Sequence, residues 1–197
     1  MSGDLLRSEA IVQAHDRAVA SWRSRPPAEM APGEDLTSLV LALHFSNFAL
    51  WNLEDQARRT DKGDAYVVAQ KRAIDARNQK RSDLVERIDE RILASLAKSG
   101  TAVGGEQHSE TAGMIIDRLS ILALKIHNMG LHAARGDDSR LAAECARKRE
   151  VLEQQRRDLS ACFDQLMDDC RAGRRHFKVY RQYKAYNDPR LSPDRVA

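Results

Sequence analysis

Strand-like alternation is what this sequence lacks most. Nowhere in its 197 residues do β-branched and polar residues alternate over a usable length, so a sandwich or barrel is excluded. Glycine (10) and proline (5) are sparse, and seven of the fifteen gather in residues 26–34 and 99–109. Aromatics make up only 5 % of the chain. Three cysteines, Cys145, Cys162 and Cys170, are an odd number without metal-ligand spacing, which excludes a disulfide framework or a zinc ribbon. They read as small residues on the apolar seam of one helix. No stretch has the form of the roughly 20-residue apolar run of a membrane span, and Met1–Arg7 has no apolar signal core. The expectation is a cytoplasmic protein.

Catalytic signatures are missing as well. There is no phosphate-cradling glycine loop, no Gly-x-Ser-x-Gly elbow and no Glu-x-x-His pair. The sequence implies no cofactor and no metal. A net charge of +3 is too small to imply a nucleic-acid partner, but it is uneven. Residues 171–190 hold Arg171, Arg174, Arg175, Lys178, Arg181, Lys184 and Arg190 against Asp188 alone, so a basic tail follows a mildly acidic body.

What is present is helical periodicity. The expected fold is all-α: an up-and-down bundle of four long helices with additional N-terminal and C-terminal helices, in a single domain over 1–197. Residues 8–24 place Ile11, Ala14, His15, Ala18 and Trp22 on one face. Pro26 and Pro27 stop this helix, and 1–34 forms an N-terminal helix plus proline-rich loop. The core spans 35–172. A second helix, capped by Asp35 or Thr37, runs to about Thr60. A third covers about 64–98, a fourth runs from Ser109 or Thr111 to about Ala134, and a fifth runs from Asp137 or Asp138 to Gly173, with Gly136 between the last two. Short links favour antiparallel neighbours. Residues 99–109 read as a flexible loop. The tail, 173–197, repeats Phe177, Tyr180, Tyr183 and Tyr186 about every third residue, which predicts a short helix packed on the bundle by its aromatic edge.

Two of the apolar stripes are interrupted. On the second helix, Asn47 and Glu54 stand on the face of Val40, Leu43, Leu50 and Ala57, flanked by His44, Trp51, Asp55 and Arg58. On the third, Asn78 and Arg81 interrupt Ile74, Val85, Ile88, Ile92 and Leu96, with Asp75 on the flank. The fourth, the most apolar, carries Asp117, Arg118, Lys125 and His127. Polar groups aimed at a core are costly unless paired, so these residues form either an internal salt-bridge network or a ligand site.

The polar positions also form ordered motifs: Asn47-x3-Trp51-x2-Glu54-Asp55-x2-Arg58; Ile74-Asp75-x2-Asn78-Gln79-x-Arg81, followed by Glu86 and Asp89; Glu110-Thr111-x-Gly113-x2-Ile116-Asp117-Arg118-Leu119-Ser120, followed by Lys125; and Lys178 to Pro189 with Tyr186, Asn187 and Asp188. Together, over about residues 40–190, these resemble the bacterial domain-of-unknown-function 4254 family. Ala112 stands where that family would more usually carry proline. The resemblance implies no established activity. It implies only that relatives neighbour cell-envelope glycosyltransferases.

Several chemistries can be weighed on these residues. Glu54, Asp55, Asp75 and Asp117 could converge on a hard metal, but they come with many basic partners and without a Glu-x-x-Glu pattern. Anion recognition fits better, because arginine presents a planar fork suited to carboxylate or phosphate. The ligand-binding candidates are Asn47, Trp51, Glu54, Asp55, Arg58, Asp75, Asn78, Arg81, Asp117, Arg118 and Lys125. The expected partner is an anionic, phosphate- or sugar-linked small molecule. The alternative is a non-catalytic accessory protein of cell-envelope glycan synthesis, docking a protein partner through its basic tail. Nucleic-acid binding by the tail is disfavoured, and an oligomer is left open.

Overall fold

A computed structural model describes residues 7–98, 100, 104–135 and 138–183. The chain is all-α. Five helices follow one another: α1 (Ser8–Ser24), α2 (Leu36–Ala57), α3 (Asp64–Lys98), α4 (Ala112–Ala133) and α5 (Ser139–Arg171). Their limits follow from local chemistry. Asp35 caps α2 by accepting from Ser38 N, Thr111 caps α4 from Met114 N, and Asp138 caps α5 from Leu141 N, each satisfying an amide that the first turn leaves without a partner. Ala112 occupies the first position of α4, the place proline tolerates best. Gly136, Asp137 and the tail beyond Tyr183, Tyr186 included, lie outside the described residues.

The helices pack in pairs, α2 with α3 and α4 with α5, and α4 touches all four others. Its near-continuous apolar surface explains that central place. One core draws Ile11, Leu43, Ile88, Ile116 and Phe163 from the five helices and Phe177 from beyond them. Helix α2 is long and apolar enough, by length and composition, to match a membrane span, with a mean hydropathy of 1.3 over its best window. The expectation that no stretch reaches that level is corrected. Half of the window is buried inside the protein, as in a core helix.

The end of α3 and the start of α4 meet through a buried carboxylate. Asp89 is 1 % exposed. It accepts from Gly113 N at 2.6 Å and from the Thr111 hydroxyl. Burial raises its pKa to about 6, and those two bonds only partly offset the rise. Gly113 is required here, since a Cβ would stand 2.6 Å from the Val85 carbonyl oxygen.

Beyond α5 the structure corrects two expectations. A sheet does exist, though a minimal one: β1 (Glu106–Gln107) pairs in parallel with β2 (Arg175–His176). Part of the 99–109 loop is therefore pinned. Gly105, at φ 74, passes so close to Arg174 that a Cβ would lie 2.0 Å from its carbonyl oxygen. The tail is not a helix within the described residues. It has no regular secondary structure over 177–183 and turns at its end, where Tyr183 N donates to the Arg181 carbonyl oxygen; Phe177 is only 2 % exposed and Tyr183 91 % exposed. Arg181 anchors it to Glu86 (2.7 Å) and Glu90 (2.5 Å) on α3. Backbone pairing at 175–176 and these carboxylates hold an irregular segment on the bundle, so the three-residue aromatic spacing does not mark a helical face. The cysteines also differ from the single-seam reading: Cys145 and Cys170 are buried, but Cys162 is exposed.

Candidate functional site

Helix α2 rotates about 100° per residue, so its polar residues divide between two flanks. Asn47, Glu54 and Arg58 share one flank, Phe48 and Asn52 the other, and Trp51 and Asp55 stand on the ridge between. The first flank faces Asn78 and Arg81 of α3 and Ile121 and Leu124 of α4. Together with Leu50, Trp51 and Asp55 these residues line a cleft of about 270 Å³.

At the inner end of the cleft lies a closed chain of hydrogen bonds. Asn47 Nδ2 donates to Asp117 Oδ1 at 2.8 Å and to Ser120 Oγ at 3.0 Å. Ser120 Oγ lies 2.8 Å from His44 Nδ1, and His44 Nε2 lies 3.1 Å from the His15 carbonyl oxygen. A carbonyl only accepts, so Nε2 carries the His44 proton, Nδ1 accepts, and the Ser120 hydroxyl must donate to it. His44 is thus neutral with a fixed tautomer. Burial lowers its pKa to about 4, against a small upward pull from the His15 carbonyl. The His15 ring stacks on that of His44 at 4.4 Å. Burial first, then His44 and Arg156, hold its pKa well below the usual value. Both His15 ring nitrogens are buried without a hydrogen-bond partner.

The outer end is open. Asp117 has 13 % of its side chain exposed and Arg81 34 %, and their closest approach is 3.7 Å, too long for a hydrogen bond. That is the only ion pair of Arg81 among the described residues. Burial raises the Asp117 pKa, opposed by the Arg81 charge and the Asn47 bond. Arg58 pairs with Asp55 at 2.8 Å on the exposed rim. Glu54 is exposed, and Trp51 and Asn78 are half-buried.

Three candidates lie elsewhere. Asp75 is held by Lys71, one turn away, at 3.0 Å. Arg118 is exposed and binds both oxygens of Glu110, at 2.8 and 2.9 Å. Lys125 is exposed too. These two cations line a groove of about 710 Å³ with His108, Asp158 and Cys162 of the α4–α5 side. The expectation that Arg118 converges with Asn47 and Asp117 is corrected. One residue along α4 turns the side chain by about 100°, which takes it from the cleft to the opposite groove. Sequence reasoning names Ser120 only within a motif and His15 only on an apolar face, and takes neither as a site residue. Ser120 stands three residues after Asp117, and that helical spacing could have marked it.

Among the described residues no group of three acidic, histidine or cysteine side chains could hold a metal ion. The arrangement is that of an all-α protein with a polar cleft between α2, α3 and α4, closed within and open without. Residues 37–179 match the family described as protein of unknown function (DUF4254), and the chain belongs to that family. No curated protein and no solved structure matches it.

Proposed function

We propose that the cleft between α2, α3 and α4 binds a small anionic ligand, phosphate- or sugar-linked, with α2–α5 acting as an up-and-down bundle that presents it. One observation carries this reading. Arg81 sits in an open cleft with its nearest carboxylate 3.7 Å away, so its guanidinium fork is available to an incoming anion. Around it, Asn78 and Glu54 offer hydroxyl-binding groups and Trp51 an apolar wall, the combination that suits a sugar.

The test is thermal shift and calorimetry with inorganic phosphate, hexose 1-phosphates and ribose 5-phosphate. A bound ligand should stabilise the protein by about 2.7 kcal/mol at a hundredfold excess over its dissociation constant, and Arg81→Met should abolish that gain. A protein indifferent to every anion refutes the proposal.

The second reading, an accessory protein of cell-envelope glycan synthesis, draws on the closed inner chain and on the exposed Tyr183 of the tail. It favours a partner docked on the tail and a melting temperature that no anion moves.

A further inference from the structure

A second cavity, of about 330 Å³, lies on the other flank of α2 and shares Trp51, Asp55 and Leu124 with the polar cleft. Its lining differs in kind. Trp22, Phe48 and Trp51 supply aromatic faces, and Asn52 and Asn128 supply amides. His127 also lines it, and its Nε2 is buried without a hydrogen-bond partner. Burial lowers the His127 pKa, and the nearby Arg23 charge lowers it further. The neutral ring therefore has one donor and one acceptor. Buried polar atoms are nearly always satisfied, but this nitrogen has no surface open to the cavity, so the hydrogen-bonding edge offered to a ligand is that of Asn52.

We infer that the two cavities are adjacent compartments of one site, and that the ligand is a nucleoside phosphate. This rests on the anion reading of the cleft and goes beyond it. Either cavity alone, at 330 and 270 Å³, is near the lower limit of small-molecule pockets, about 300 Å³. The order of chemistries matches the order of parts in the ligand. A planar base needs stacking faces and hydrogen-bonding edges, which the aromatic compartment has in Phe48, Trp51 and Asn52. A ribose diol is bound by a carboxylate, and Asp55 stands on the shared ridge. A phosphate needs a guanidinium, and Arg81 lies beyond the ridge.

The test is calorimetry on the full chain with adenosine, guanosine, uridine and cytidine diphosphates, against ribose 5-phosphate and pyrophosphate as base-free controls. At least one nucleoside diphosphate should bind about tenfold or more tighter than either control, the contribution expected of one stacked base. Phe48→Leu and Asn52→Ala should erase that preference while leaving ribose 5-phosphate affinity unchanged, and Arg81→Met should weaken every phosphate ligand. Asn52 is exposed, so its variant should fold normally. Nucleoside diphosphates that bind no tighter than ribose 5-phosphate overturn this inference and leave the anion cleft standing. Absence of binding by any phosphate overturns both.

Discussion

The polar residues around Asn47 fall into two halves with opposite properties. Inward, His44, Ser120 and Asn47 bond one another in a chain that runs to the His15 carbonyl. Outward, Arg81, Glu54 and Asn78 border an open cleft, and the Arg81–Asp117 approach stays at 3.7 Å. Both halves break an apolar stripe, so residue type does not tell them apart. Satisfaction does. A polar core group whose partners are all supplied by the fold has a structural role, and one whose strongest partner is withheld is free for something else.

Acid should separate the halves most strongly. His44 titrates near 4 when folded and near 6.5 when unfolded. Its folded pKa is depressed, so the unfolded chain takes up the proton first, and stability present above pH 6.5 is lost as the pH falls towards 4. The loss is on the order of 3 kcal/mol for this ring alone, and His15 adds to it in the same direction. Asp89 opposes them. Its folded pKa of about 6 lies above its unfolded value, so the folded state binds the proton and gains stability as the pH falls from 6 towards 4. Asp117, raised by burial as well, acts with Asp89, and the lowered His127 acts with the histidine pair, so three histidines outweigh two carboxyls. Denaturant melts from pH 7 to 4 should show falling stability, less steep in His15→Phe and steeper in Asp89→Asn. A flat profile would mean the ring pair is not buried.

Asn47→Leu comes next. It leaves Asp117 and Ser120 without their shared donor, and a buried group left unsatisfied costs about 1–3 kcal/mol. Chemical denaturation at pH 7 would measure the loss, and an unchanged midpoint would show that the inner chain does no structural work. Arg81→Met should cost less, about 0–1 kcal/mol, because a partly exposed pair at long range contributes little. Its effect belongs in ligand binding. A loss of several kcal/mol would move Arg81 into the structural half. Arg118→Met should have the smallest effect, within about 0.5 kcal/mol in the same melts, with no change in the response of the cleft to anions. A changed anion response would join the α4–α5 groove to the cleft.

Much of this architecture is legible in the sequence. Asp35, Thr111 and Asp138 mark the starts of three helices by capping chemistry, and the interruptions at Asn47, Glu54, Asn78 and Arg81 do meet in one cleft. Three features are not legible. Arg118 is one residue from Asp117, and only the rotation of α4 against its neighbours decides which groove it enters. His15 reads as part of an apolar face, because the sequence does not show that His44 will stack on it. The tail is misread because its aromatic spacing mimics a helix, whereas long-range partners, Arg174 beside Gly105 and Arg181 on α3, hold it in a non-helical path.

That clasp between Gln107 and His176 has a mechanical consequence. It ties the strand just before α4 to the strand just after α5, so the α4–α5 hairpin is closed at its open end like a buckled strap. Sliding α4 along its axis would strain the pairing at 106–107 and 175–176. Since α4 is also the helix that all the others touch, the register of the cleft wall at Ile121 and Leu124 is held partly by a knot remote from it. A bulky residue at Gly105 would therefore be felt as a shift in cleft geometry, transmitted by a rigid rod.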